Sequence, residues 1–391
     1  MSNDTQPEIR FPGFTEAWEQ RKLADLAEYY DGTHQTPKYT KSGVPFVSVE
    51  NINNIKRTDK YISEEDFENQ FKIKPQKDDI LMTRITAGVI GDTTIVPDNN
   101  PLAYYVSLAL IRPKKIMASY LEKYIGSNQF KEELHKRIIH TAFPKKINLG
   151  EIGQCIVSCP CNDSEQEKIG SFFKQLDKTI TLHQRKLDLL KETKKGFLQK
   201  MFPKNGAKVP EIRFPGFTED WEERRLQEVV DRYDNLRIPI TASKRVAGNT
   251  PYYGANGIQG YVEGYTHDGE FILVAEDGAN DLKNYPVQYV DGKVWVNNHA
   301  HVIQAKENLA DNMFLMNAIR SINIEPFLVG GGRAKLNADV LMKLEVIIPL
   351  KSEQQKIGAF FKQLDDTIAL HQRELDVLKE TKKGFLQKMF V

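Results

Sequence analysis

Cysteine is scarce in this chain: its 391 residues include only Cys155, Cys159 and Cys161, all within one short stretch. An odd, clustered set excludes the disulfide framework of a small secreted protein and is typical of a reducing compartment. No run of about 18 consecutive apolar residues occurs, and the polar N-terminus lacks the apolar stretch of a signal peptide. We therefore expect a cytoplasmic protein that neither spans a membrane nor is secreted.

The chain also lacks an excess of charge of one sign. Lys and Arg number 54 and Asp and Glu number 53, so the formal net charge is +1. Bulk charge thus gives no indication of binding to nucleic acid or to a membrane, and binding to DNA would need local basic patches. Apolar residues make up 40% of the chain and charged residues 27%, as in a globular protein with a hydrophobic core.

Motifs that indicate catalysis are missing as well. There is no GxxxxGK[ST] phosphate loop, and Gly254, Gly257 and Gly260 do not have the spacing of the dinucleotide fingerprint. The triple glycine at 330–332 is interpreted as a flexible loop, with a phosphate cradle as the alternative. The three clustered thiols lack the paired spacing and the fourth ligand of a zinc site. We therefore predict no catalytic residue and no metal site.

What the chain does contain is a pair of internal repeats. Residues 7–23 return at 210–226 with 14 of 17 positions identical, and residues 164–202 return at 352–390 with 33 of 39 identical. The stretches between the repeats differ in length, 140 residues against 125, and their sequences have diverged. Repeats of this size indicate duplicated structural units.

These repeats define the predicted domain organisation. Strand-like runs broken by glycine and proline alternate with segments of helical spacing, so both diverged stretches are predicted to be mixed α and β, an α+β fold class. Both end alike, with Asn148 aligned to Asn337, which indicates a shared fold with different surfaces. The predicted segments are a first domain at 1–163, a helix at 164–202, a linker at 203–209, a second domain at 210–351 and a helix at 352–391.

The longer repeat has apolar residues at alternating spacings of four and three, the pattern of a coiled coil. Since a whole domain separates the two copies, we expect the two helices to pack on each other within one chain. On the same seam, His183 and His371 are interpreted as polar residues that set the register, and Lys194 and Lys382 as residues with packed stems. The apolar seam consists of Ile169, Phe173, Leu176, Ile180, Leu187 and Leu190 in the first copy and of Ile357, Phe361, Leu364, Ile368, Leu375 and Leu378 in the second.

The two helices also match at positions that a coiled-coil seam does not constrain. A recent duplication would explain this match only if the diverged stretches had a different origin. We interpret the match as two copies of one surface that faces the same partner twice. The pairs are Glu165/Glu353, Lys168/Lys356, Gln175/Gln363, Gln184/Gln372, Arg185/Arg373, Lys195/Lys383 and Gln199/Gln387.

The repeats PEIRFPGFTEAWEQRKL and SEQEKIGSFFKQLD…ETKKGFLQKMF, their second copies, and YYGANGIQGYV…VNNHAHV resemble the specificity subunit of a type I restriction-modification enzyme. The resemblance covers nearly the whole chain. It implies a non-catalytic subunit with two target recognition domains, each recognising one half of a bipartite double-stranded DNA site. It also implies that the repeated helices form an antiparallel intramolecular coiled coil with pseudo-two-fold symmetry, which fixes the spacing of the domains.

The resemblance implies partners that supply the chemistry. Two methyltransferase subunits would methylate adenine N6 with S-adenosylmethionine, and two restriction subunits would act as motors that need ATP and Mg²⁺ and cleave unmodified DNA. This chain itself would hold no cofactor.

Residues for DNA contact are predicted by position, from basic, amide and aromatic side chains in the diverged domains. For the first half-site these are Thr83, Arg84, Thr86, Tyr104, Lys145, Lys146 and Asn148. For the second half-site they are Tyr252, Tyr253, Asn256, Asn297, His299, Arg333 and Lys335.

Two other classes of protein remain as alternatives. A protein-binding scaffold with two divergent domains on a coiled coil would show no salt-sensitive DNA binding. A nuclease or methyltransferase in its own right would need a metal-binding acidic cluster or a cofactor glycine motif, and the sequence has neither.

Overall fold

The computed structural model describes residues 6–204, 206–331 and 334–391, which form two compact units. Unit 1 contains the described residues up to Gln184 together with Glu374–Val391, and unit 2 contains those of Arg185–Arg373. Each unit therefore combines one diverged domain with the first part of the helix that follows it and the last part of the other repeated helix.

Unit 1 is built on a four-stranded antiparallel sheet. Its helices are α1 (Leu23–Leu26), α2 (Glu64–Gln70), α3 (Ala118–Ile125), α4 (Asn128–His135), α5 (Leu149–Gly153) and the first part of α6 (Asp163–Lys200). Its strands are β1 (Glu19–Lys22), β2 (Ala27–Asp31), β3 (Val44–Val47), β4 (Tyr61–Ile62), β5 (Ile80–Thr83), β6 (Ile85–Thr86), β7 (Thr93–Ile95), β8 (Ala103–Tyr104), β9 (Leu108–Pro113), β10 (Lys145–Lys146) and β11 (Ile156–Cys159). The main sheet has the order β2–β9–β5–β7, a second sheet has the order β4–β3–β8, and β1–β11 and β6–β10 form separate pairs.

Unit 2 repeats this plan. Its strands are β12 (Glu222–Arg225), β13 (Val230–Arg232), β14 (Ala247–Gly254), β15 (Gly257–Val262), β16 (His267–Asp268), β17 (Phe271–Ala275), β18 (Val287–Val290), β19 (Lys293–Val296), β20 (Ala300–Ala305) and β21 (Glu345–Ile348). Its helices are α7 (Leu226–Val229), α8 (Asn312–Ser321), α9 (Ala338–Lys343) and the first part of α10 (Lys351–Lys388). The main sheet, β13–β20–β17–β18, corresponds to β2–β9–β5–β7, and the pair β12–β21 corresponds to β1–β11.

The central strands of the two main sheets are apolar at successive positions because they are covered on both faces. In β5, Ile80 lies in the core shared with α3 and α4, whereas Leu81 lies in the core shared with β3. In β17, Ile272 and Leu273 divide between two cores in the same way. A strand buried on both faces needs an apolar side chain at each position, which hides the alternation of a half-exposed strand.

In unit 1, the first part of α6 packs against the last part of α10. The rings of Phe172 and Phe385 lie 5.0 Å apart, and Asp177 lies 2.6 Å from Lys382. Residue numbers rise along one helix as they fall along the other, so the two segments are antiparallel.

Unit 2 has the same antiparallel pairing. The rings of Phe197 and Phe360 lie 5.0 Å apart, and Lys194 pairs with Asp365 at 2.5 Å. All of the apolar seam residues predicted from the heptad are buried or partly buried. The structure thus has the predicted α+β class, with two similar domains and antiparallel pairing of the repeated helices.

The short repeat is anchored to the start of each long helix by an ion pair whose carboxylate is buried. Arg10 donates to both carboxylate oxygens of Glu165, at 2.6 and 2.8 Å, and Arg213 donates in the same way to Glu353, at 2.8 and 2.8 Å. Each glutamate side chain is only 1% exposed. Bidentate pairing satisfies both charges where water is excluded.

These contacts correct part of the interpretation of the matched helix positions. Glu165 and Glu353 are conserved between the repeats as internal ion-pair partners, not as a surface for a partner protein. Lys168 lies 4.8 Å from the ring of Phe14, and Lys356 lies 4.8 Å from the ring of Phe217, so each of these matched lysines contacts the short repeat of its own unit.

We predict that Glu165→Gln lowers the free energy of unfolding by about 2 kcal/mol, because it leaves the partly buried guanidinium of Arg10 without its counter-charge. Glu353→Gln is expected to have a similar effect in unit 2. The control is Glu167→Gln, which changes an exposed carboxylate two residues away and should alter stability by less than about 0.5 kcal/mol. Urea unfolding of the three variants measures the change in the free energy of unfolding. Equal urea midpoints for Glu165→Gln and Glu167→Gln would contradict a stabilising role for the Arg10–Glu165 ion pair.

Candidate nucleic-acid interface

In unit 1, a short strand pair brings several of the predicted residues together. Strand β6 pairs antiparallel with β10, which places Lys145 opposite Thr86 and Lys146 opposite Ile85. The side chains of Lys145, Lys146 and Asn148 are exposed, and Thr86 is partly buried. This strand pair, with the exposed residues around it, is termed the unit 1 platform.

Arg84 lies beneath the unit 1 platform and is 7% exposed. Its guanidinium donates to the carbonyl oxygens of Val106 at 3.0 Å and Ile147 at 3.2 Å, and it lies 3.3 Å from a carboxylate oxygen of Asp31. These bonds tie the platform to the main sheet. The predicted contact between Arg84 and DNA is therefore corrected to an internal, supporting role.

Thr83 and Tyr104 are also internal. The hydroxyl of Thr83, which is 2% exposed, donates to the carbonyl of Val89 at 2.8 Å and accepts from the amides of Gly91 and Asp92. Tyr104 is fully buried and donates to the carbonyl of Asp31 at 2.8 Å, and this burial raises the pKa of its phenol above the ordinary value. Neither side chain is at the surface, so the predicted direct contacts with DNA are corrected.

The sequence pattern missed Phe143, which is 93% exposed immediately before the β10 lysines. The surrounding stretch at 131–146 has five basic residues and two acidic ones, although the whole chain is nearly neutral. Glu133, one of the two, is already paired with Lys136 and Arg137 at 2.7 and 2.9 Å. The local sequence provides no sufficient indication, because the buried Phe202 also lies beside proline in a lysine-rich stretch.

Unit 2 has a corresponding arrangement around Lys335. This residue forms isolated antiparallel bridges with Asp277 and Val329, as Lys146 of unit 1 does with Ile139. Its ammonium lies 2.8 Å from a carboxylate oxygen of Glu276, which raises the pKa of Lys335. Nearby, His299 Nδ1 lies 2.6 Å from a carboxylate oxygen of Asp277. These residues and their exposed neighbours are termed the unit 2 platform.

Asn256 holds a loop of the unit 2 platform in place. Its amide donates to the carbonyl of Gly278 at 2.9 Å and accepts from the amide of Asn280 at 2.9 Å, while the residue itself remains exposed. Tyr253, also predicted for this half-site, is partly buried, and burial raises the pKa of its phenol.

Three of the remaining predicted residues do not offer a described, exposed side chain. Tyr252 is 1% exposed, with the guanidinium of Arg245 4.0 Å from its ring centre, and Asn297 is 3% exposed and accepts from the amide of His299 at 2.8 Å. Their predicted contacts with DNA are corrected to internal roles. Arg333 lies outside the described residues.

A charged network supports the unit 2 platform from below. His301, 1% exposed, lies 2.7 Å from a carboxylate oxygen of Asp234 and 2.8 Å from the carbonyl of Leu336. Arg237 lies 2.6 Å from Glu276. Burial raises the pKa of Asp234, but the hydrogen bond with His301 and the charge of Arg237 outweigh it and lower that pKa. Asp234, Glu276 and His301 lie close enough to share a metal ion, yet Arg237 and Lys335 already neutralise the carboxylates.

The comparisons with known proteins agree with this fold. A family model described as the type I restriction modification DNA specificity domain matches residues 15–192 and 218–380. The chain belongs to this specificity family. It is 47% identical over 154 residues to a Haemophilus influenzae protein assigned as a type I restriction enzyme specificity subunit, and the match covers 39% of each chain. It is 28% identical over 116 residues to the EcoprrI specificity subunit of Escherichia coli, covering 29% of this chain and 28% of that protein.

Solved structures of the specificity family share the architecture. The type I restriction-modification S subunit from M. genitalium superposes with a TM-score of 0.70 at 14% identity, covering 99% of both chains. A chain from a study of complex assembly and conformational transition in a type I system has a TM-score of 0.54 at 14% identity, covering 97% of both. At this identity the likeness establishes the fold. Among the described helices, none is long and apolar enough to cross a membrane.

We predict that Arg84→Ala destabilises the chain by about 2–4 kcal/mol, because it removes a buried guanidinium and leaves its carbonyl and carboxylate partners unsatisfied. Lys145→Ala, an exposed change on the strand above it, should alter stability by less than about 0.5 kcal/mol. Thermal unfolding of both variants measures the difference. A wild-type melting temperature for Arg84→Ala would return this residue to the set of candidate DNA contacts.

Proposed function

We propose that this specificity subunit recognises a split, asymmetric DNA site, with each unit contacting one half. The observation that carries the proposal is that both units build the same type of platform and place different side chains on it. Lys146 and Lys335 occupy corresponding bridge positions, and Asn148 and Asn337 occupy corresponding positions directly before α5 and α9. On this alignment Gly332 takes the place of Phe143 in the sequence of unit 2, and Ala334 takes the place of Lys145.

On the unit 1 platform, each exposed group has a suitable role. Lys145 and Lys146 are placed to contact phosphates, which position the duplex without specifying sequence. Thr86 and Asn148 can form hydrogen bonds with base edges. An exposed ring such as that of Phe143 can insert at a base step or stack on an unpaired base.

On the unit 2 platform the chemistry differs. Lys335 supplies a positive charge, and the pair of His299 and Asp277 offers both hydrogen-bond donors and acceptors at the surface. A carboxylate beside a base edge favours cytosine, whose exocyclic amine donates. Two such different surfaces suit a site whose halves are not related by symmetry.

The catalytic steps are assigned to partners. We infer that two methyltransferase subunits supply S-adenosylmethionine-dependent adenine methylation, and that two restriction subunits supply ATP- and Mg²⁺-dependent translocation and cleavage. The exposed matched positions of the long helices, which the internal contacts do not explain, are the proposed docking surface for the methyltransferase. These positions are Gln175/Gln363, Arg185/Arg373 and Gln199/Gln387.

The test is co-expression of this chain with the methyltransferase subunit of the same host, followed by genome-wide mapping of N6-methyladenine. We expect one split, asymmetric methylated motif that requires both proteins. A stable complex without methylation would count against recognition by the platforms, and the lack of any complex would favour a scaffold function.

Variants of the unit 1 platform sharpen this test. Lys145→Ala with Lys146→Ala should reduce the slope of log affinity against log salt by about 2, or about 1 for each lost phosphate contact. Phe143→Ala should weaken binding by roughly tenfold, which corresponds to the loss of one stacking contact. Lys115→Ala, an exposed change elsewhere in unit 1, is the control. Fluorescence anisotropy measures binding to a duplex that carries the motif found by the methylation mapping. Unchanged affinity and salt slope in the first two variants would exclude DNA contact by the unit 1 platform.

A further inference from the structure

The two units differ in how they neutralise charge where a long helix meets its domain. Asp177 of α6 and Asp365 of α10 occupy matching positions in the long repeat. In unit 1, Asp177 lies 2.6 Å from Lys382 and 2.6 Å from Lys123, and Lys123 also lies 2.7 Å from Glu122. Two cations thus meet two carboxylates.

Among the described residues of unit 2, no second carboxylate forms an ion pair at the corresponding place. Asp365 pairs with Lys194 at 2.5 Å and with Arg320 at 3.6 Å. The amides of Met117 and Asp311 donate to corresponding glutamines on α6 and α10, so α3 and α8 can be aligned on these residues. On this alignment the position of Glu122 is occupied by Met316, which is 2% exposed and apolar.

Two cations of unit 2 therefore share the single carboxylate of Asp365. Burial lowers the pKa of Lys123, but Glu122 and Asp177 outweigh it and raise that pKa above the ordinary value. Burial and the like charge of Arg320 instead lower the pKa of Lys194, and burial also lowers that of Arg320. The pKa values of Lys123 and Lys194 thus shift in opposite directions. This is expected when the site in unit 1 has as many carboxylates as cations and the site in unit 2 has fewer.

Arg320 also retains a free donor. Its Nε and Nη2 both donate to the carbonyl of Val287, at 3.0 and 2.6 Å. Within the described part of the chain, the buried Nη1 has no hydrogen-bond partner, although it is 3.6 Å from Asp365. A buried guanidinium nitrogen without an acceptor is costly unless a ligand or water supplies one.

Lys194 and Arg320 line a cavity of about 740 Å³ within unit 2. Lys191 and Lys195, one helical turn apart on α6, add two exposed ammonium groups to its wall. A volume of this size lies in the range of small-molecule sites.

The other polar side chains of the cavity are amides, two carboxylates and the phenol of Tyr285, which already donates to the carbonyl of Ala275 at 2.9 Å. Asp281 is already engaged, since it accepts from the amides of Lys283 and Asn284 at 2.9 Å. The second carboxylate is that of Glu192, which is exposed on α6. Four cations therefore face two carboxylates in the lining. The amide side chains are those of Asn256, Asn280, Asn284 and Gln288.

We propose that this cavity binds a phosphate group, which accepts hydrogen bonds from Arg320 and Lys194 while Lys191 and Lys195 close over it. Phosphate oxygens supply several acceptors and the negative charge that the site lacks. The phosphate can come from a free nucleotide or from the backbone of DNA, because Asn256 belongs to both the cavity and the unit 2 platform. Only the DNA source rests on the proposed function.

The experiment uses the full chain and three probes at constant ionic strength: inorganic pyrophosphate, ADP and a random-sequence duplex. Lys191→Gln with Lys195→Gln changes exposed residues only and should weaken binding roughly tenfold or more. The matched control is Lys379→Gln with Lys383→Gln, the equivalent exposed pair on α10 in unit 1, which should bind as the wild type does. Arg320→Met should abolish binding, and its melting temperature shows whether the fold is retained.

The probes distinguish the two sources of phosphate. Saturable binding of pyrophosphate or ADP at one site per chain, weakened in the unit 2 variant pair, supports a free nucleotide. Loss of duplex binding alone, with a smaller salt slope, supports a backbone phosphate. Equal affinities of the two variant pairs for all three probes would exclude phosphate binding in this cavity. Since the small probes need no recognition sequence, that failure is separate from a failure of the methylation test.

Discussion

The antiparallel pairing of the long helices is the constraint on which the rest of the structure depends. Because the pairing is antiparallel, the beginning of each long helix lies beside the end of the other, and each diverged domain packs on both. The ion pairs Arg10–Glu165 and Arg213–Glu353 attach the short repeat to the beginning of each helix. The residues that make these contacts are identical in the two repeats, and the contacts do not involve the loops of the diverged domains.

This division explains how a surface can change while its fold is kept. The main sheet of each unit is held by apolar side chains on both faces of its central strand, and the platforms lie at its periphery. In unit 1, Arg84 carries the attachment through backbone carbonyl oxygens, which every residue type possesses. Neighbouring side chains such as Phe143 and Lys145 can therefore be exchanged without loss of the support beneath them.

Much of the fold could be predicted from the sequence, because a heptad and a repeat depend on local spacing. The site was less predictable. Arg84 and Tyr104 have the chemistry of DNA contacts, but their partners lie 22 to 73 residues away, so their burial follows from tertiary packing. Phe143 was overlooked because an apolar residue in a diverged domain is usually taken for part of its core. The polar residue types indicated where the platforms lie. The burial of Arg84 and Tyr104 shows that these two side chains support the unit 1 platform from within and do not face solvent.

The comparison of the two units also shows what duplication leaves free to vary. Asp177 and Asp365 are identical by descent, yet one belongs to a neutral cluster and the other to a cluster with excess positive charge. The difference arises in the diverged domains, where Glu122 of unit 1 is replaced by Met316 of unit 2. An excess buried charge reduces stability unless something binds to it. Its retention beside a cavity rich in amide groups is consistent with a ligand that compensates for that loss.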